Sequence, residues 1–138
     1  MASKFHLALP CLSISKVRKF YVDGLGAKEG RSAQNWIDID LFGNQMTFTK
    51  SGPFNFESKS YSFNGEILPS FHFGIILERE DWLNLKHTVT VNKIPLKSEI
   101  QFLNGKKGEH ESFFIEDPNG FTVEFKCFTQ TDQVFTKA

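Results

Sequence analysis

Hydrophobic and polar residues alternate from Lys4 to Pro10, with Phe5, Leu7 and Leu9 set against His6, Ala8 and Pro10. A period of two marks a half-buried strand and places His6 on the face opposite Phe5. Ser13 then offers an N-cap, Val17, Phe20 and Tyr21 fall at helical spacing, and Gly24 and Gly26 stop the helix. From Trp36 the period returns to two: Trp36 to Asp40, a turn at Phe42-Gly43-Asn44, and Gln45 to Thr49 predict a hairpin. Residues 4–50 therefore read as strand, helix and about three strands. Residues 51–69, with Gly52-Pro53, Asn64-Gly65 and Pro69, show no clear period and predict a long connection, a candidate lid.

The order then repeats. Ser70 to Leu77 is an apolar strand, Arg79 to Lys86 a short helix with Trp82 and Leu85 on one face, and Ile100 to Leu103 a brief strand. Ser112 to Glu116 runs into the turn Asp117-Pro118-Asn119-Gly120. From Phe121 to Phe128, Glu124 falls opposite Phe121, Val123 and Phe125. The segment Phe5-His6-Leu7-Ala8-Leu9 also returns in residue type as Phe71-His72-Phe73-Gly74-Ile75. One domain of two related halves is expected: about 4–50, a connection 51–69, about 70–128, and a tail 129–138.

Duplication changes how the ionisable residues read. A lone strand histidine is more often structural than a ligand, but His6 and His72 hold matching positions and Glu124 lies on the last strand. Two imidazoles and a carboxylate on a shared inner face make the facial triad suited to Fe(II) or a similar divalent ion. Composition excludes other classes. Sixteen basic residues balance sixteen acidic ones, so there is no electrostatic footprint for nucleic acid or an anionic membrane. No apolar run approaches the roughly 18 residues of a membrane span, and no secretory signal opens the chain, so a cytoplasmic location is expected. Sixteen phenylalanines read as core filling. Cys11 and Cys127, without CxxC spacing, read as buried small hydrophobes.

Phe5-His6-Leu7-Ala8, Tyr21-Val22-Asp23-Gly24-Leu25-Gly26, Phe71-His72-Phe73-Gly74 and Asp117-Pro118-Asn119-Gly120 followed by Glu124 resemble the vicinal-oxygen-chelate superfamily. The likeness runs from Lys4 to about Phe128 and is nearest to small extradiol-dioxygenase-like proteins related to glyoxalase I and bleomycin-resistance proteins. It implies an α+β fold of two βαβββ modules in an open mixed β-barrel, a homodimer, and metal ligands at His6, His72 and Glu124. Aligning Gly43 with Gly120 sets Thr47 against Glu124, where glyoxalase I enzymes carry a carboxylate; a two-residue shift would bring Gln45 there instead. Threonine at that position favours three protein ligands and a dioxygenase-like reaction.

His110, in a loop before Ser112, is a candidate base, and Tyr61, in the connection, a candidate cover for substrate. His87 reads as a helix-end surface residue, and Lys106 and Lys107 as a soluble turn. The expected function is a metal-dependent dioxygenase-like oxidoreductase acting on a small vicinal-oxygen molecule. Fe(II) is favoured, with Mn, Ni, Zn or Mg as other ions. A glyoxalase-like lyase or isomerase, a thiol transferase, and a metal-free drug-binding resistance protein are the rival readings.

Overall fold

The computed structural model describes residues 3–63 and 65–137; Asn64, within the expected connection 51–69, lies outside the described residues. The chain divides into two compact units, Met1–Phe56 with Asp117–Asn119, and Glu57–Glu116 with Gly120–Ala138. No helix is long and apolar enough to cross a membrane among the described residues.

In the first unit β1 (His6–Cys11) leads into α1 (Ile14–Val17), a wider π-helical stretch (Arg18–Gly24), β2 (Lys28–Ala33), β3 (Trp36–Leu41) and β4 (Asn44–Lys50). Ser13 caps α1 as expected, its Oγ accepting from the Lys16 N–H at 3.3 Å. The sheet order is β1-β4-β3-β2, with β1 and β4 parallel. Phe42 and Gly43 join β3 to β4 with positive φ at both, 52° and 87°, the two-residue turn whose twist matches its strands. Leu9, Ile37, Ile39 and Phe48 are buried. Phe5 is 66% exposed, so the alternation holds for Leu7 and Leu9 but not for the first phenylalanine. Instead its backbone is tied down: Phe5 N–H donates to Asn44 Oδ1 and Gln45 N–H donates to the Phe5 carbonyl.

Tyr21 is fully buried against Phe48, and its hydroxyl donates to Asp117 Oδ2 at 2.8 Å. Burial first, then the Asp117 charge, pushes the phenol well above its ordinary range. Asp117 also accepts from the Asn119 N–H, and Asn119 Oδ1 accepts from the Leu12 N–H. The Tyr-x-x-x-Leu-Gly and Asp-Pro-x-Gly segments, distant in sequence, are thus joined by a buried hydrogen bond.

The second unit contains β5 (Ser60–Phe63), β6 (Glu66–Pro69), β7 (Phe73–Ile76), α2 (Arg79–Val91), β8 (Ser98–Phe102), β9 (His110–Glu116), β10 (Thr122–Phe128) and a 3-10 turn (Thr131–Gln133). Its sheet order, β7-β10-β9-β8 with β7 and β10 parallel, repeats that of the first unit. The fold is α+β, two βαβββ halves as expected. Three expectations need correction. Residues 51–69 are not structureless, because β5 and β6 form an antiparallel hairpin. That hairpin buries Leu68 while Tyr61, Phe63 and Ile67 stay exposed, so it leaves no period-two burial signal. The helix does not stop at Lys86, because Val89 continues the buried stripe of Trp82 and Leu85. His110 begins β9 rather than sitting in a loop. Both cysteines are free and buried, and burial raises their thiols.

Candidate functional site

β10 positions Glu124, and the register of β7 decides what meets it. Gly74 stands opposite Glu124 in the parallel pair. A Cβ on Gly74 would lie 1.6 Å from the Glu124 carbonyl oxygen, so only glycine lets the strands approach this closely. His72 precedes β7 directly and is half-buried. Its Nδ1 lies 3.0 Å from the Pro69 carbonyl. A carbonyl only accepts, so Nδ1 carries a proton; Nε2 either donates to the carboxylate from an imidazolium or, in the neutral ring, presents a lone pair. That nitrogen faces Glu124 Oε1 at 3.1 Å, with the carboxylate side chain 6% exposed. Oε2 accepts from Ser112 Oγ at 2.7 Å, and Phe114 packs edge-on against the imidazole at 5.8 Å.

Each partner is therefore held from behind. A proton on Nε2 joins the two as an ion pair, and a metal ion taken up by the neutral ring would stand in that proton's place. A backbone carbonyl behind a histidine and a hydroxyl behind a carboxylate are the supports metal ligands use. Two ligands about 2.1 Å from one ion and at right angles stand about 3 Å apart, which the observed separation fits.

His6 lies in the first unit, exposed on β1 opposite Gln45. It lines a pocket of about 430 Å³ with Lys4, Arg31, Asp38, Asn44 and Gln45. Among the described residues no group of three His, Cys, Asp or Glu side chains is gathered where one ion could be held; what the second unit brings together is His72 with Glu124. Ala8 pairs with Thr47 as Gly74 pairs with Glu124, so the backbone register makes Thr47, not Gln45, the counterpart of the carboxylate. Thr47 Oγ1 donates to Asp38 Oδ1 at 2.7 Å, and Gln45 Nε2 to Asp38 Oδ2 at 3.3 Å. Arg31 Nη2 lies 3.5 Å from the same buried carboxylate.

His110 is sandwiched between the rings of Phe102 and Phe128, both 4.6 Å away. Its Nδ1 meets the Gly108 carbonyl at 2.8 Å, so Nδ1 carries a proton and Nε2 is the acceptor in the neutral ring. Tyr61 lies on β5 opposite Leu68, 41% exposed. His87 is exposed on α2, and Lys106 and Lys107 are exposed in their turn. Asp38, Ser112 and Gly74 escaped the sequence reading. Asp38 occupies a polar slot of an alternating strand, and Ser112 is an ordinary strand serine. Gly74 alone carried a signal, as a glycine inside an apolar strand.

No family model matches the chain, and no curated protein sequence does. Solved structures do. The glyoxalase/bleomycin resistance protein/dioxygenase from Alicyclobacillus acidocaldarius superposes with a TM-score of 0.81 at 29% identity, over 96% of each chain. Lactoylglutathione lyase from Agrobacterium tumefaciens gives 0.63 at 16% identity, over 92% of this chain and 94% of the other. A mutant of the fosfomycin resistance protein FosX from Listeria monocytogenes, complexed with Mn(II) and 1S,2S-dihydroxypropylphosphonic acid, gives 0.66 at 13% identity, over 98% and 97%. At those identities the last two speak for the fold alone. The structures this chain resembles are glyoxalase/bleomycin resistance/dioxygenase proteins, and it has the fold of that vicinal-oxygen-chelate superfamily, as the sequence resemblance implied.

Proposed function

We propose that the protein is a divalent-metal-dependent enzyme of the dioxygenase-like type, acting on a small substrate with vicinal oxygens, with His72, Glu124 and His6 as the metal ligands. The observation that carries this reading is the facing of His72 Nε2 and Glu124 Oε1 at 3.1 Å, each fixed from its far side. Fe(II) bound there would act as a Lewis acid toward the substrate oxygens. The residues do the rest. Ser112 holds the carboxylate, Pro69 and Phe114 fix the imidazole, and Thr47 in place of a further carboxylate leaves three protein ligands. His110 lies two residues from Ser112 on β9, so both side chains project from one face. Its lone pair is the candidate acceptor of a substrate hydroxyl proton.

Elemental analysis of protein purified without a tag or added metal, followed by oxygen uptake with a catechol panel, tests the proposal. A stoichiometric divalent ion and oxygen consumption with Fe(II) are expected. Glu124→Ala removes the anionic ligand and should strip the ion, whereas full metal retention contradicts the assignment. Anaerobic turnover activated by Ni, Zn, Mn or Mg would keep the metal site and replace the reaction with a lyase or isomerase. Mixing His6→Ala with Glu124→Ala protein shows where His6 acts: recovered metal binding means that ligands are shared between copies of a homodimer.

A further inference from the structure

Beside the His72–Glu124 pair the second unit holds a pocket of about 350 Å³, within the range of small-molecule sites. Leu68 and Pro69 of β6 and the Phe114 ring form its apolar wall, and Leu68 and Phe114 belong to one buried cluster. Phe114 stands opposite Glu124 in the β9–β10 pairing and touches His72, while Pro69 carries the carbonyl that fixes His72. Pocket and pair thus share a wall.

Lys97 supplies the charge. Its backbone N–H donates to the Phe114 carbonyl at 2.7 Å, and its ammonium donates to Thr122 Oγ1 at 3.4 Å. Thr122 is 3% exposed and precedes Glu124 by two residues, so both side chains leave the same face of β10, roughly 7 Å apart. A hydroxyl that accepts from an ammonium keeps its own proton to donate. Lys97 and Thr122 together therefore offer an oxyanion a positive charge and an O–H. Among the described lining residues the acid is Glu66, exposed on the hairpin strand β6.

We propose that this pocket selects substrates bearing an oxyanion, a carboxylate or a phosphonate, bound by Lys97 and Thr122, two residues along β10 from Glu124, with the vicinal oxygens toward His72 and Glu124. The vicinal-oxygen half of this statement rests on the metal-dependent reading above; the oxyanion half rests on Lys97 and Thr122. Titration calorimetry of the Mn(II)-loaded protein at low ionic strength with catechol and with 3,4-dihydroxybenzoate, whose carboxylate lies across the ring from its hydroxyls, tests the whole. The acid should bind more tightly by about tenfold, ~1.4 kcal/mol, and Lys97→Met, which keeps the aliphatic stem, should bring the two affinities level. A preference that survives Lys97→Met overturns the proposal, as does no preference in the unaltered protein. A second arm uses metal-free protein in chelator and follows amide shifts on adding benzoate or inorganic phosphate. Shifts at Lys97 and Thr122 that Lys97→Met abolishes support the oxyanion subsite even if the loaded protein ignores catechol, which would sink the metal reading alone. No shift with either anion overturns the subsite whatever the metal does.

Discussion

Ala8 faces Thr47 in the first unit, and Gly74 faces Glu124 in the second, in equivalent parallel pairings. In the first, the Thr47 hydroxyl donates to a carboxylate on the neighbouring strand, Asp38; in the second, the carboxylate occupies the equivalent position itself and accepts from Ser112 on its neighbouring strand. The duplicated sheet fixes where these side chains stand, and one residue's identity decides whether that place is a hydrogen-bonded wall or a carboxylate facing an imidazole. At Gly74 a Cβ would lie 1.6 Å from the Glu124 carbonyl oxygen, whereas the first unit carries alanine at the matching position. Where a carboxylate must meet an imidazole, the facing residue is glycine, and where it need not, alanine suffices.

Breaking that spacing should have the largest effect. Gly74→Ala drives a methyl into the Glu124 carbonyl and should cost about 3 kcal/mol in chemical denaturation. Ala8→Gly at the matching position should cost under about 1 kcal/mol, so equal losses would dissolve the distinction. Next is Ser112→Ala, which frees Glu124 Oε2 and should weaken metal binding roughly 10- to 100-fold by calorimetry.

Tyr21→Phe removes the buried bond to Asp117 and should cost about 1.5 kcal/mol. Its pH dependence has a definite sign. Below the ordinary phenol value of 10.0 the hydroxyl is protonated in folded and unfolded chains alike, and its contribution is complete. Above it the unfolded chain ionises first, so stability falls as pH rises toward the raised folded value. Denaturation midpoints of the unaltered protein should drop above about pH 10, and Tyr21→Phe should flatten the drop. Smallest is Asp38→Asn, expected to cost about 0.5–1 kcal/mol with metal affinity unchanged. Metal loss as great as that in Ser112→Ala would move the site toward the first unit.

Strands with one buried face, the capped first helix and the repeated Phe-His opening were legible because their patterns extend over many residues. That His72 and Glu124 share an inner face was legible in the alternation, but the proton on His72 Nδ1 was not, since it depends on the Pro69 carbonyl three residues upstream. The β5–β6 hairpin was hidden because Ser60, Ser62 and Glu66 mask a pairing that buries one leucine. The end of α2 was hidden because Thr88, Val89 and Thr90 are poor helix formers whose cost is offset by Val89 reaching the core. Asp38 was invisible because a buried carboxylate and a solvated one look alike in an alternating strand; the donors Thr47, Gln45 and Arg31 arrive from elsewhere.

Imidazole nitrogen shifts in a long-range 1H–15N spectrum, followed while Zn(II) is titrated into metal-free protein, address the His72–Glu124 pair at its own atoms. His72 Nε2 should move on saturation at one site while Nδ1 keeps its proton on the Pro69 carbonyl. Nitrogens of His72 that stay unchanged as zinc binds, or a proton found on Nε2 in the saturated protein, would contradict the assignment of this pair as the metal centre.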